Sequence, residues 1–85
     1  MVRMLDFAFS TSDEITAELG LRLKAVRLSQ SLTQADLAER AGVSVGTVKS
    51  LERTGHSSVA SLVRVVQALG LTDQLQSLFV LKVQS

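Results

Sequence analysis

Apolar residues Ile15, Leu19, Leu23 and Val26 recur at spacings of four, four and three, which marks one face of an α-helix. The pattern predicts a helix from Asp13 to about Ser29, capped by Ser12 or Asp13. Asp13, Glu14 and Glu18 suit its positive N-terminal end. Gln30 and Ser31 break it. Thr33 then precedes Gln34-Ala35-Asp36-Leu37, a capping-box-like start with Asp36 at the third helical position. This second helix runs to Ala41, turns Leu37, Ala38 and Ala41 inward, and ends at Gly42. Ser44 caps a third helix, about 45–53, with Val48 and Leu51 inward. The stretch from Thr54 to Ser58 reads as a loop. Ser57 or Ser58 opens a fourth helix bearing Val59, Leu62, Val63, Val66 and Leu69, and Gly70 stops it. Thr72 caps a short fifth helix with Leu75 and Leu78.

Five short helices joined by three to five residues predict a compact all-α domain. The ends follow another pattern. Phe79-Val80-Leu81-Lys82-Val83 is β-branched and partly alternating, as are Val2, Met4, Phe7 and Phe9. Short strands are expected there. A lone pair of strands is not stable by itself, so they should pair with each other or across a dimer interface. The chain thus divides into an N-terminal arm (1–12), a helical domain (13–78) and an apolar tail (79–85), the last a dimer element.

Composition narrows the chemistry. Eighty-five residues support a single core. There is no Cys and one His, His56, so disulfides, thiolate sites and multi-histidine metal sites are excluded. No apolar run reaches membrane-spanning length and none reads as a secretory signal, so the expected location is the cytoplasm. The net charge of +1 is unevenly spread. Residues 20–70 carry seven basic side chains (Arg22, Lys24, Arg27, Arg40, Lys49, Arg53, Arg64) against three acidic ones, and residues 1–19 carry one against four. A basic middle behind an acidic arm suits a modest nucleic-acid binder. No nucleophile motif, phosphate loop or carboxylate cluster points to an enzyme or a cofactor.

The second and third helices meet at Ala41-Gly42-Val43-Ser44. A glycine ends one helix, a hydroxyl caps the next, and Val43 can plug the space between them. This is the local grammar of a helix-turn-helix, which can lay its second helix in the DNA major groove. Leu19 to Arg27, Leu32 to Ser44, Thr47 to Glu52 and Leu62 to Leu71 together resemble, in order and spacing, the Xre or phage-repressor-like (Cro-like) helix-turn-helix family over roughly residues 15–75.

The resemblance implies a compact five-helix, lambda-repressor-like DNA-binding domain and particular roles within it. Gln34 would bond a phosphate at the start of the second helix, where the helix dipole helps. Val45, Gly46, Lys49 and Ser50 would face base edges, Ser44 and Thr47 would lean towards phosphate, and Arg53 shares that outer face. Backbone N–H groups around Ser57 and Ser58 would take phosphate. Arg27 and Glu52 would form a partly buried structural salt bridge. No Arg, Asn or Gln stands on the third helix for a bidentate base contact, so each half-site should discriminate modestly. His56 reads as a solvated loop residue.

Two departures from the family pattern stand out. Ser31 replaces the usual glycine at the end of the first helix, where a left-handed conformation would strain it. Leu21 and Leu28 occupy usually polar places opposite Leu23 and Val26.

The function expected is a sequence-specific transcriptional repressor that binds double-stranded DNA as a homodimer. Leu75, Leu78, Phe79, Val80, Leu81 and Val83 would form the dimer interface. The layout of one DNA-binding domain and a short apolar tail also looks like the HipB-like antitoxins, which partner a HipA-like kinase toxin. The alternative is a protein–protein adaptor that uses the same scaffold without specific DNA binding.

Overall fold

In the computed structural model, which describes residues 5–83, every helix except the last starts at a residue chosen by side-chain chemistry. Helix α1 (Ser12–Ser29) begins one residue earlier than the pattern suggested, because Thr11 rather than Ser12 or Asp13 caps it. The Thr11 hydroxyl accepts from the Glu14 N–H, and the Glu14 carboxylate accepts from the Thr11 N–H. Helix α2 (Gln34–Ala41) repeats this reciprocal arrangement with Thr33 and Asp36, as expected. Ser44 caps α3 (Val45–Thr54) and Ser58 caps α4 (Val59–Ala68). Each arrangement satisfies donors that the first turn of a helix leaves open. Helix α5 (Thr72–Gln76) is shorter than expected. Thr72 lies inside it, Leu71 flanks it without a side-chain cap, and Leu78 falls beyond its end.

Three helices end in one hydrogen-bonding motif. At α2, Val43 N–H donates to the Ala38 carbonyl while Gly42 adopts φ 69°. At α4, Leu71 N–H donates to Val66 beside Gly70. At α1, Leu32 N–H donates to Arg27, and the left-handed residue is Ser31 at φ 58°. These are Schellman closures, and only α1 makes one without glycine. The expected strain at Ser31 is therefore present.

The core lies where α1, α2, α3 and α4 converge, around Leu37, Val48 and Val65, with Leu23, Leu51 and Leu69 beside them. The inward residues predicted for α2 and α3 are all buried. Val43 packs against this core from the turn. On α4 the buried pair is Val65 and Val66, whereas Val59, at the start of the helix, is 77% exposed.

On α1 the inward stripe is Gly20, Leu23 and Arg27 rather than Ile15, Leu19, Leu23 and Val26. Leu19 is exposed, and Val26 packs at the edge of the core. The reason is a close backbone crossing. A Cβ at Gly20 would overlap the Leu51 carbonyl oxygen, and one at Gly55 would overlap the Thr16 carbonyl. The two glycines let α1 and α3 approach closely, and that contact, not apolar spacing, sets the rotation of α1.

The ends form no strand among the described residues. Phe7–Phe9 is a 3-10 turn capped by Asp6, and Arg22 lies 4.9 Å above the Phe7 ring. Val2 and Met4 lie outside the described residues. Phe79 takes φ 60°, and residues 80–83 are irregular and exposed. The strand expected at Phe79–Val83 does not form, and the described residues offer no neighbouring strand edge to complete its hydrogen bonds.

Candidate nucleic-acid interface

The α2–turn–α3 unit is fixed from behind by a buried ionic network. Arg27 Nε donates to Glu52 Oε2 at 2.6 Å and Nη2 to Oε1 at 3.0 Å. The third guanidinium nitrogen, Nη1, donates to the Leu32 carbonyl at 2.7 Å. Both residues are buried, as the resemblance implied. The hydrogen bonds from Arg27 to Glu52 raise the guanidinium pKa against the opposing effect of burial. No buried side-chain polar atom among the described residues lacks a partner, so the desolvated charges are fully met.

This network reaches the surface through Gln34. Its amide nitrogen donates to Glu52 Oε1 at 3.1 Å. One amide N–H is used in this way, and the second remains for an outside acceptor. Gln34 is the first residue of α2, so the open N–H groups of that helix start lie beside it. The expected phosphate contact is geometrically available, with the side chain anchored from within.

The remaining predicted positions separate by how occupied their polar atoms are. Ser44 Oγ accepts from Thr47 N–H and is bonded to Thr47 Oγ1 at 2.9 Å, so both hydroxyls serve the start of α3. Ser50 Oγ donates to the His56 carbonyl at 3.2 Å, which ties α3 to the following loop and leaves its lone pairs to accept. Ser58 Oγ caps α4 and Ser57 Oγ donates to the Ser58 carbonyl. Their side chains are thus taken, and what this loop presents outward is the backbone at the start of α4. Val45, Gly46, Lys49 and Arg53 are exposed along the outer face of α3. Neither Lys49 nor Arg53 pairs with a carboxylate among the described residues.

A concave groove of about 690 Å³ is lined by Gln34 of α2 and by Gly46, Lys49 and Arg53 of α3. Leu21 and Lys24 of α1 line it too. Sequence reading assigned neither residue to the site. Lys24 was visible only as part of the basic middle, and Leu21 only as an odd apolar residue. Their place depends on the α1–α3 crossing, for which Gly20 was the sole signal. Arg22, by contrast, is turned away to Glu18 at 2.8 Å and to Phe7. Among the proposed dimer residues, Leu75 is half-buried against the core, while Leu78, Phe79, Val80, Leu81 and Val83 are exposed. Among the described residues there is no metal-binding cluster, and no helix is long and apolar enough to cross a membrane.

Comparison with known proteins identifies the family and the fold. Residues 18–79 match the family model described as a helix-turn-helix domain. The fold is similar to that of the restriction-modification controller protein C.AhdI from Aeromonas hydrophila, with a TM-score of 0.64 and 25% identity, covering 68% of this chain and 89% of that one. No curated protein matches the chain.

Proposed function

The chain belongs to the helix-turn-helix domain family, and from that premise we propose that it is a DNA-binding transcriptional regulator that acts as a homodimer on an inverted repeat. The observation that carries the reading is the outer face of α3. Its exposed Lys49 and Arg53 project from a helix locked in place by the buried Arg27–Glu52 pair, and that pair also holds Gln34 at the start of α2. This is the disposition needed to set one helix in the major groove while the preceding helix meets the backbone. Similarity to a restriction-modification controller supports a role in regulating transcription.

Two features support the homodimer reading. One small domain offers few phosphate contacts, and two copies double them. Leu78, Phe79, Val80, Leu81 and Val83 present an apolar surface that a second copy would cover. Neither the family match nor the solved neighbour points to a HipA-like kinase toxin, and the proposal does not include one.

Selection of bound duplexes from a random library at two salt concentrations tests this reading. Enrichment of an inverted repeat, with half-sites about one helical turn apart, is the expected result. Recovery of unenriched DNA only at low salt would leave an electrostatic binder without sequence preference. Recovery of no DNA would overturn the proposal in favour of an adaptor.

A further inference from the structure

We propose that the groove between α1 and α3 seats a single sugar–phosphate strand of the bound duplex, with Lys24 of α1 gripping a phosphate and Gly46 of α3 leaving the strand room to enter. The inference rests on the DNA-binding reading above and adds a second wall to the site.

Three observations converge. The first is charge. Lys24, Lys49 and Arg53 all line the groove, and none has a carboxylate partner among the described residues. The one carboxylate there, Glu52, is held by Arg27 and Gln34. The groove therefore carries uncompensated positive charge from both helices, which suits a polyanion. The second is hydrogen bonding. Gln34 lies in the same groove with an amide N–H to spare, next to the open N-terminus of α2.

The third is Gly46. Glycine within a helix costs roughly 1 kcal/mol relative to alanine, so its presence calls for a reason. None comes from the fold, since a Cβ there would meet only Ser44 Oγ, at 3.7 Å. Gly46 lines the groove together with Leu21 and Lys24, so the absence of a side chain there leaves the groove wider than any other residue would. Leu21 is 55% exposed. Its apolar surface matches the carbon face of a deoxyribose, whereas a free anion would favour a polar wall. A strand of alternating phosphate and sugar fits both kinds of lining. Leu28, 57% exposed on the same helix, does not line the groove and takes no part.

The test is titration of a labelled duplex with the full chain across about 50–200 mM salt, comparing wild type with Lys24→Ala and Gly46→Ala. Both substitutions leave the buried core intact, and circular dichroism checks that. Each phosphate contact contributes about 0.9 to the slope of log affinity against log salt. Lys24→Ala should flatten that slope by about one and weaken binding by a similar factor on every duplex sequence. A duplex with neutral methylphosphonate linkages placed singly along one strand gives the second arm. One position should weaken wild type but leave Lys24→Ala unaffected. Gly46→Ala should stabilise the free protein yet weaken binding to all duplexes alike.

An unchanged salt slope in Lys24→Ala, with wild-type binding intact, overturns the groove assignment and leaves the DNA-binding reading standing. Weakening by Gly46→Ala confined to one sequence would place a base rather than a strand at Gly46, and also overturns it. Absence of DNA binding by wild type would remove the premise itself.

Discussion

Helices α1 and α3 pack against each other, yet their inward faces are chosen by different physics. On α3 the buried residues Val48, Leu51 and Glu52 follow the apolar stripe and its immediate neighbour. On α1 the apolar residues are only weakly segregated, and the inward positions are a glycine, a leucine and an arginine. One helix is oriented by removing hydrocarbon from water. The other is oriented by how closely two backbones can approach and by where a guanidinium finds its carboxylate. Apolar periodicity therefore locates α3 well and α1 only in outline.

The largest effect should come from breaking the ion pair. Glu52→Ala leaves Arg27 buried without its carboxylate, which typically costs about 3–5 kcal/mol. For a domain of this size that lowers the melting temperature by well over 10 °C. A melt within about 2 °C of wild type would show that Arg27 relaxes to solvent and that the network does not orient α1. Replacing the pair together, Arg27→Met with Glu52→Leu, sharpens the comparison. Stability should largely return, because a well-packed apolar pair can equal a buried ionic one. DNA binding should remain weakened, because Gln34 loses its anchor.

Next in size is Gly20→Ala. The added methyl would overlap the Leu51 carbonyl, and overpacking of this kind costs about 1–3 kcal/mol. The same change at Gly46, where nothing lies close, should stabilise by roughly 0.5–1 kcal/mol. Opposite signs for one substitution on two packed helices would show in chemical denaturation. Destabilisation at both positions would mean that helix propensity and contact geometry have been wrongly separated.

Much of α2 and α3 is legible from sequence because its signals are local. Thr33 and Ser44 cap the next turn, Gly42 closes the preceding one, and Leu37, Val48 and Leu51 lie on single stripes. Ser31 was legible only through the resemblance, as a serine where the family has glycine. A residue where the chain must turn left-handed is strained whatever surrounds it. Gly20 and Gly55 were not legible as contacts, since their meaning lies in carbonyls on another helix. Lys24 and Leu21 were missed for the same cause. They join Gln34 and Lys49 only once the α1–α3 crossing is known. Arg27 and Glu52 could be paired by resemblance alone, because nothing local links residues 25 positions apart.

Ser31 gives a smaller prediction. It stands at the position of the motif that Gly42 and Gly70 occupy elsewhere in the chain. Left-handed geometry costs a non-glycine residue about 1–2 kcal/mol, offset by the greater freedom glycine has when unfolded. Ser31→Gly should therefore stabilise by about 0.5–1 kcal/mol, a rise of several degrees in melting temperature. A lower melt would mean that Ser31 is held there by contacts worth more than its strain.

The smallest effect separates α1 and α2 from α3 by pH. The first two helices start with carboxylates in capping boxes, and α3 and α4 start with serine hydroxyls alone. Bonds from the backbone and hydroxyl of Thr11 hold the Glu14 pKa below its ordinary 4.5, and those of Thr33 hold Asp36 below 3.8. A carboxylate whose pKa is lower when folded stabilises the fold at pH above its unfolded value. That contribution fades as pH falls through the folded value. Stability should thus decline as acid is added below about pH 4.5, the ordinary value for Glu14. Both groups are fully exposed, so the decline should be shallow and weaker in high salt. The double variant Glu14→Gln, Asp36→Asn should flatten that part of the curve, while Ser44→Ala lowers the whole curve without changing its slope. An equal acid slope in wild type and the double variant would place the proton-linked stability elsewhere, and the capping carboxylates would then act through geometry rather than charge.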